Sequence, residues 1–344
     1  MVGWWFYVAV PVGVLAGAII GGQYVAAAVG GDDGMVLLIA GTLLFIAFAA
    51  NYVGLRLSGR LQLLLVSLLV LLLLVTMLTA APHATVANFQ PFAPHGCLAI
   101  GTAASVLYAF AGWEAASHLS AEFRHPARHI GLATAMTLAI VGVLYVGLTA
   151  TVFGVLGPEA ARTDVPLTLL LERGMGPATR VATAGAAVFL TLGAINAYIA
   201  GGARLGAALG RDGALPRWLA TGGSAGDVPR RSLTAQAIAC AVTGVASVVR
   251  RLDLDTLMRA TSACLVAVTA AGMFAAVRLL PRRTPLWWGA LIGSGFPVGV
   301  FAFCGPLVVI PHAARAAREP RGAPARAPPA HAHQLRLRDP AARA

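Results

Sequence analysis

Lysine is missing from the 344 residues, and all 25 basic side chains are arginine, a bias that reflects a GC-rich coding sequence more than chemistry. Charge of either sign is scarce. Charged residues make up 11% of the chain while 58% are hydrophobic, against roughly 25% charged in an ordinary soluble domain. A surface so poor in ions does not keep a chain of this size dispersed in water, which excludes a soluble enzyme. Cysteine is sparse as well. Cys97, Cys240, Cys264 and Cys304 stand singly in apolar stretches without CxxC spacing. They read as buried thiols, and neither a disulfide framework nor a zinc site is indicated. HExxH and GxSxG are absent too, and the histidines fall mostly in loops and the tail. A membrane-embedded enzyme is therefore disfavoured, and no catalytic residue, cofactor or metal is expected.

What the chain has in abundance is long apolar runs. A helix needs about 20 mostly apolar residues to cross the hydrocarbon core, and lipid leaves no other open structure with its backbone satisfied. Nine runs meet this length: Trp4–Val29, Met35–Leu55, Leu61–Ala80, Leu98–Ser117, Ile130–Leu156, Val181–Leu209, Ser232–Val249, Leu254–Val277 and Leu286–Ile310. The first lacks a basic leader and opens on Trp4-Trp5-Phe6-Tyr7, an interfacial cluster rather than a secretory signal. An all-α polytopic membrane protein is the expected fold class.

Arginine placement orients the bundle. Alternate loops carry Arg56, Arg60, Arg124, Arg128, Arg204, Arg211, Arg217, Arg230, Arg231, Arg278, Arg282 and Arg283, whereas the opposite loops carry five arginines diluted by seven acids. The richer set is expected to face the cytoplasm, together with Met1. Residues 1–311 then form the membrane domain. The segment 312–344, built of Ala, Arg, Pro and His without apolar periodicity, is expected to be a disordered basic tail. Nine crossings leave that tail on the wrong side, so either Phe296–Ile310 is re-entrant or split into a tenth short span around Gly305-Pro306, or the chain's end is abnormal. A lipid-surface anchor and a shifted reading frame both account for such a composition.

Chemistry concentrates in the fourth span. Glu114 is the only acid well inside a span, and an ionisable group at that depth faces a cavity or a partner. A neutral, hydrogen-bonded carboxyl tying helices together is the competing reading. Gly112, flanked by Phe110 and Trp113, suggests a locally opened helix over which aromatics close. Downstream, Glu122, Arg124, Pro126 and Arg128 form a charged turn in which Pro126 ends a helix. Gly202, Gly206 and Gly210 share one face at small-xxx-small spacing, which lets backbones approach closely. Arg211-Asp212-Gly213-Ala214-Leu215-Pro216 reads as a turn.

Together these pieces resemble the amino acid–polyamine–organocation superfamily of secondary transporters. Its sixth helix reads aromatic-x-Gly-aromatic-Glu followed by Glu-x-x-x-Pro-x-Arg, matched here by Phe110, Gly112, Trp113, Glu114, Glu122, Pro126 and Arg128. Its eighth helix runs into Arg, small residues and Asp-Gly-x-x-Pro, matched by Arg204, Asp212, Gly213 and Pro216. In overall look the chain is similar to bacterial neutral amino acid permeases and exporters.

The resemblance implies a LeuT-like bundle of two inverted five-helix repeats, with substrate at midplane between unwound first and sixth helices. On this alignment the chain's first span is the family's third helix, so the bundle is expected to be N-terminally truncated and incomplete, with about nine to ten spans. An amino acid zwitterion needs acceptors for its ammonium. Carbonyls around Tyr108–Ala111 are expected to supply them, with Tyr108 and Trp113 as lids and Phe110, Ala111, Gly112 and Glu114 completing the site. The partners expected are an amino acid, a proton as coupling ion and the lipid bilayer of a bacterial plasma membrane, with no nucleic acid. Ser67 and Thr191 are the hydroxyls a sodium site would draw on instead. The competing expectation is a non-transporting fragment or interaction subunit that needs another chain.

Overall fold

The computed structural model describes residues 2–54, 59–90, 126–222 and 227–303, and among them every regular element is helical. Nine α-helices follow in chain order: α1 Val2–Val29, α2 Asp33–Val53, α3 Gly59–Ala80, α4 Pro126–Leu156, α5 Pro166–Met175, α6 Thr179–Arg211, α7 Arg230–Arg250, α8 Leu254–Leu279 and α9 Pro285–Phe303. Seven of the described helices are long and apolar enough to cross a membrane. The expected fourth span, Leu98–Ser117, lies outside the described residues, as do the end of the ninth span and the tail 312–344.

Local chemistry sets the helix ends. Asp32 caps α2 by accepting from the Met35 amide at 3.0 Å, and Asp253 caps α8 in the same way through the Thr256 amide at 3.1 Å. The Thr256 hydroxyl and amide hold the Asp253 carboxyl below its usual range. Gly54 closes α2 at φ +83°, taking the left-handed conformation that costs glycine little. Pro126, Pro166 and Pro285 open α4, α5 and α9, where the missing N–H is no loss. At 33 residues α6 is about 50 Å long, well beyond a bilayer's apolar thickness, and Arg180 and Arg211 stand near its ends.

The centre of the bundle is α1, which packs against α2, α6, α7 and α8. Its small residues make that possible. A Cβ at Gly22 would stand 2.5 Å from the Val36 carbonyl oxygen, and one at Gly21 would meet Leu43 and Thr191. Between α2 and α6 the Asn51 amide donates to the Asn196 side-chain oxygen at 2.6 Å. A second, smaller cluster joins Ala80 at the end of α3, Val155 and Leu156 at the end of α4, and Leu170 of α5.

Candidate functional site

Tyr108, Phe110, Ala111, Gly112, Trp113 and Glu114 lie outside the described residues, as do Glu122 and Arg124. Pro126 and Arg128 are placed differently from expectation. Both belong to the first turn of α4 rather than to a loop ending at Ile130, because proline's fixed φ suits the first helical position and its lack of an N–H matters nowhere less. The turn after α6 forms where expected: Gly213 adopts φ +74°, and the amides of Ala214 and Leu215 return to the Leu209 carbonyl at 2.9 and 3.0 Å.

Gly202, Gly206 and Gly210 share one face of α6, and each meets a different partner. At Gly210 a Cβ would stand 2.8 Å from the Ala220 amide nitrogen, in the short 3-10 turn Arg217–Ala220. At Gly206 it would meet the Ser232 hydroxyl at 2.2 Å and the Tyr7 ring at 2.4 Å, and at Gly202 the Gln236 amide nitrogen at 2.4 Å and Val10 at 3.0 Å. The three helices are thus in register. One layer holds Tyr7 of α1, Gly206 of α6 and Ser232 of α7; the next layer, one helical turn along, holds Val10, Gly202 and Gln236. A neighbouring contact, Phe6 stacked on Tyr198 with centroids 6.3 Å apart, ties α1 to α6 again. The two hydroxyls of the sodium alternative have different surroundings, Ser67 standing exposed on α3 and Thr191 lying against Gly21 of α1.

Two polar constellations escaped the sequence reading. The first surrounds α5, a ten-residue helix in what read as a plain loop. Arg173 pairs with Glu159 and with the Val155 carbonyl, while Arg180 at the start of α6 grips Glu172 at 2.5 and 3.1 Å. Those charge-assisted bonds from Arg180 hold the Glu172 carboxyl below its ordinary range. The visible signal was Pro166 followed by apolar and charged residues at helical spacing, too short to compete with the spans. The second constellation lies where α2 meets α7. The Arg230 guanidinium sits 5.5 Å over the Tyr52 ring and Arg231 donates to the Thr221 hydroxyl at 3.1 Å. Its signal was the arginine pair itself, which the sequence reading used only for orientation.

The sequence has clear relatives. The profile of the family described as "Amino acid permease" matches residues 1–320. The chain belongs to the amino acid permease family. It is 31% identical over 312 residues to the "Uncharacterized amino acid permease YecA" of Bacillus subtilis, an alignment covering 90% of this chain and 74% of that one. It is 30% identical over 168 residues to the "Branched-chain amino acid permease BcaP" of the same organism, covering 48% and 36% of the two chains. An uncharacterized transporter of Mycobacterium bovis is 31% identical over 256 residues, 72% of this chain and 56% of its own length. The chain thus spans between about a third and three quarters of these relatives. The family and the repeated apolar helices make this a multi-pass helical membrane protein and an amino acid transporter rather than an enzyme.

Proposed function

We propose that the chain moves neutral amino acids by alternating access, with the substrate held at Tyr108, Phe110, Ala111, Gly112, Trp113 and Glu114. The observation that carries this reading is the Phe110-Ala-Gly-Trp-Glu114 segment, set within a family match that spans residues 1–320. A glycine between aromatics makes a membrane helix cheaper to unwind at that point, and an unwound turn leaves carbonyls without intrahelical partners. A substrate ammonium supplies the missing donors, and the negative end of the half-helix favours it. Glu114 is the group assigned the coupling proton, since a carboxyl set inside an apolar span neutralises readily. Neutral side chains fit a site with aromatic lids. The name of the branched-chain relative points the same way.

The arginine distribution supports an orientation with Met1 on the cytoplasmic face of a bacterial plasma membrane. The test is uptake or exchange of labelled leucine, alanine, arginine and glutamate by the full chain in liposomes, with and without a protonophore. Leucine flux that a protonophore slows, with arginine excluded, is the expected result. Flux of none of the four overturns transport by this polypeptide, and loss of flux in Gly112→Leu with retained folding locates the site.

A further inference from the structure

The layer one turn inside the α1, α6 and α7 seam contains an amide without a hydrogen-bond partner among the described residues. Gln236 is 0% exposed, and neither its amide nitrogen nor its side-chain oxygen has a hydrogen-bond partner among the described residues. Its surroundings are apolar: Val10 and Gly202 flank it, and Leu233 and Cys240 belong to the same buried core. Leaving a primary amide unbonded in such a place costs several kcal/mol on hydrocarbon transfer scales, and buried polar groups are almost always satisfied by protein or by ordered water.

The neighbouring layer is under-bonded as well. Ser232 is 0% exposed, and its oxygen lies 3.5 Å from the Tyr7 hydroxyl, beyond the 2.5–3.0 Å or so of a good O–H···O bond. Gln236 and Ser232 are four residues apart on α7, about one helical pitch or ~5.4 Å, and Tyr7 reaches toward Ser232 from α1. Glycine at 202 and 206 gives the room over α6 to Gln236, Ser232 and Tyr7, with the Val10 methyl groups beside Gly202.

We propose that this seam is a built hydration site, in which water bridges the Gln236 amide, the Ser232 hydroxyl and the Tyr7 phenol and so glues α1, α6 and α7 together inside the membrane. The chemistry of the groups selects the ligand. An internal water makes about three bonds, donating and accepting, and the three side chains offer both kinds. Gln236, Ser232, Tyr7, Val10 and the two glycines are all neutral, so no formal charge among these described residues selects an ion over water. The glycine face is therefore more than close packing: Gly206 and Gly202 stand opposite Ser232 and Gln236, two polar side chains that α7 buries.

The test is water-edited solid-state NMR on the full chain in lipid bilayers, with glutamine side-chain nitrogens labelled and Gln236 assigned by Gln236→Met. Magnetisation from water is expected to reach the Gln236 amide within a few-fold of the time it takes to reach exposed side chains. A build-up as slow as that of the Leu233 methyls overturns the site. Thermal unfolding supplies a second readout: Gln236→Met, equal in size but unable to bond, is expected to lower the melting temperature by roughly 2–4 °C. A rise on that substitution means the amide is merely unpaired and refutes the proposal. A melting temperature that depends on sodium rather than choline as the salt cation, abolished by Gln236→Met, assigns the seam to a cation instead and also refutes it.

Discussion

Of two apolar helices, α3 is the more hydrophobic, yet α1 is the one packed inside the bundle. In α1, 61% of the apolar stretch is buried within the bundle; in α3 the figure is 11%. Composition explains the contrast. The α1 sequence interrupts its large residues with Gly13, Ala16, Ala18, Gly21 and Gly22, all buried. The stretch from Leu61 to Leu78 in α3 is mostly leucine and valine and contains no glycine. Lipid tails are as apolar as leucine, so hydrophobicity alone draws no two membrane helices together; close approach and interhelical hydrogen bonds do. A leucine helix therefore touches its neighbours mainly at one end, near Ala80 and Leu170, and leaves Leu63, Leu64, Leu68 and Leu71 exposed. Apolarity puts both helices in the membrane; only small residues decide which of them is central.

The sharpest way to break this contrast is to give the tight block a leucine. Gly206→Leu adds four carbons where a single Cβ already stands 2.2 Å from Ser232 and 2.4 Å from Tyr7. Over-packing a full core costs about 1–3 kcal/mol and occasionally more, and this variant belongs at the upper end, about 3 kcal/mol. Size-exclusion chromatography of the detergent-solubilised chain is expected to show aggregate in place of most of the folded peak. Recovery of a normal peak and melting temperature refutes the tight register of α1, α6 and α7.

Much of the fold was legible because membrane crossing is a length-and-apolarity problem. The spans at Trp4–Val29, Leu61–Ala80 and Leu254–Val277 reappear as α1, α3 and α8 within a few residues, and Asp32, Asp253 and the helix-opening prolines carry their own signals. Neighbour choice was only half legible. Gly202 and Gly206 announced that something approaches α6, but not that Tyr7 and Gln236 do, because spacing on one helix says nothing of the partner's identity. Gln236 passed unnoticed since one amide in an apolar run leaves the span intact. The α5 helix was missed because ten amphipathic residues make a weaker pattern than the spans on either side. The proposed substrate residues 108–114 lie outside the described residues, so only their sequence motif speaks for them.

In the looser block the middle-sized effect is expected at Leu170, which is fully buried between α3 and α4. Leu170→Ala removes three carbons from a small cluster that collapses easily, which places the loss near the low end of the range for such changes, about 2 kcal/mol. A melting temperature lowered by roughly 4–8 °C checks it, taking 2–4 °C per kcal/mol. No change would mean that α5 rests on the bundle without being packed into it. A smaller effect belongs to Glu172, whose carboxyl Arg180 holds below the ordinary range. A depressed carboxyl stabilises the fold above its unfolded value, near pH 4.3, and loses that contribution as pH falls through the folded one. Wild type is thus expected to melt about 1 °C above Glu172→Gln at pH 7, with the gap closing below about pH 4. A gap that widens in acid reverses the assignment.

The smallest effect tests the periphery. Leu71 on α3 is 56% exposed, and if that face meets lipid, its methyl groups exchange one hydrocarbon neighbour for another whether or not they are present. Leu71→Ala is expected to change stability by no more than about 0.5 kcal/mol, a shift of melting temperature close to the error of the measurement. The same substitution in an aqueous core costs about 2–5 kcal/mol, so the two outcomes are well separated. A loss of that larger size would show that α3 is held by a partner helix over this face, and the contrast between the two blocks would then be one of which neighbour covers them, not of glycine against leucine.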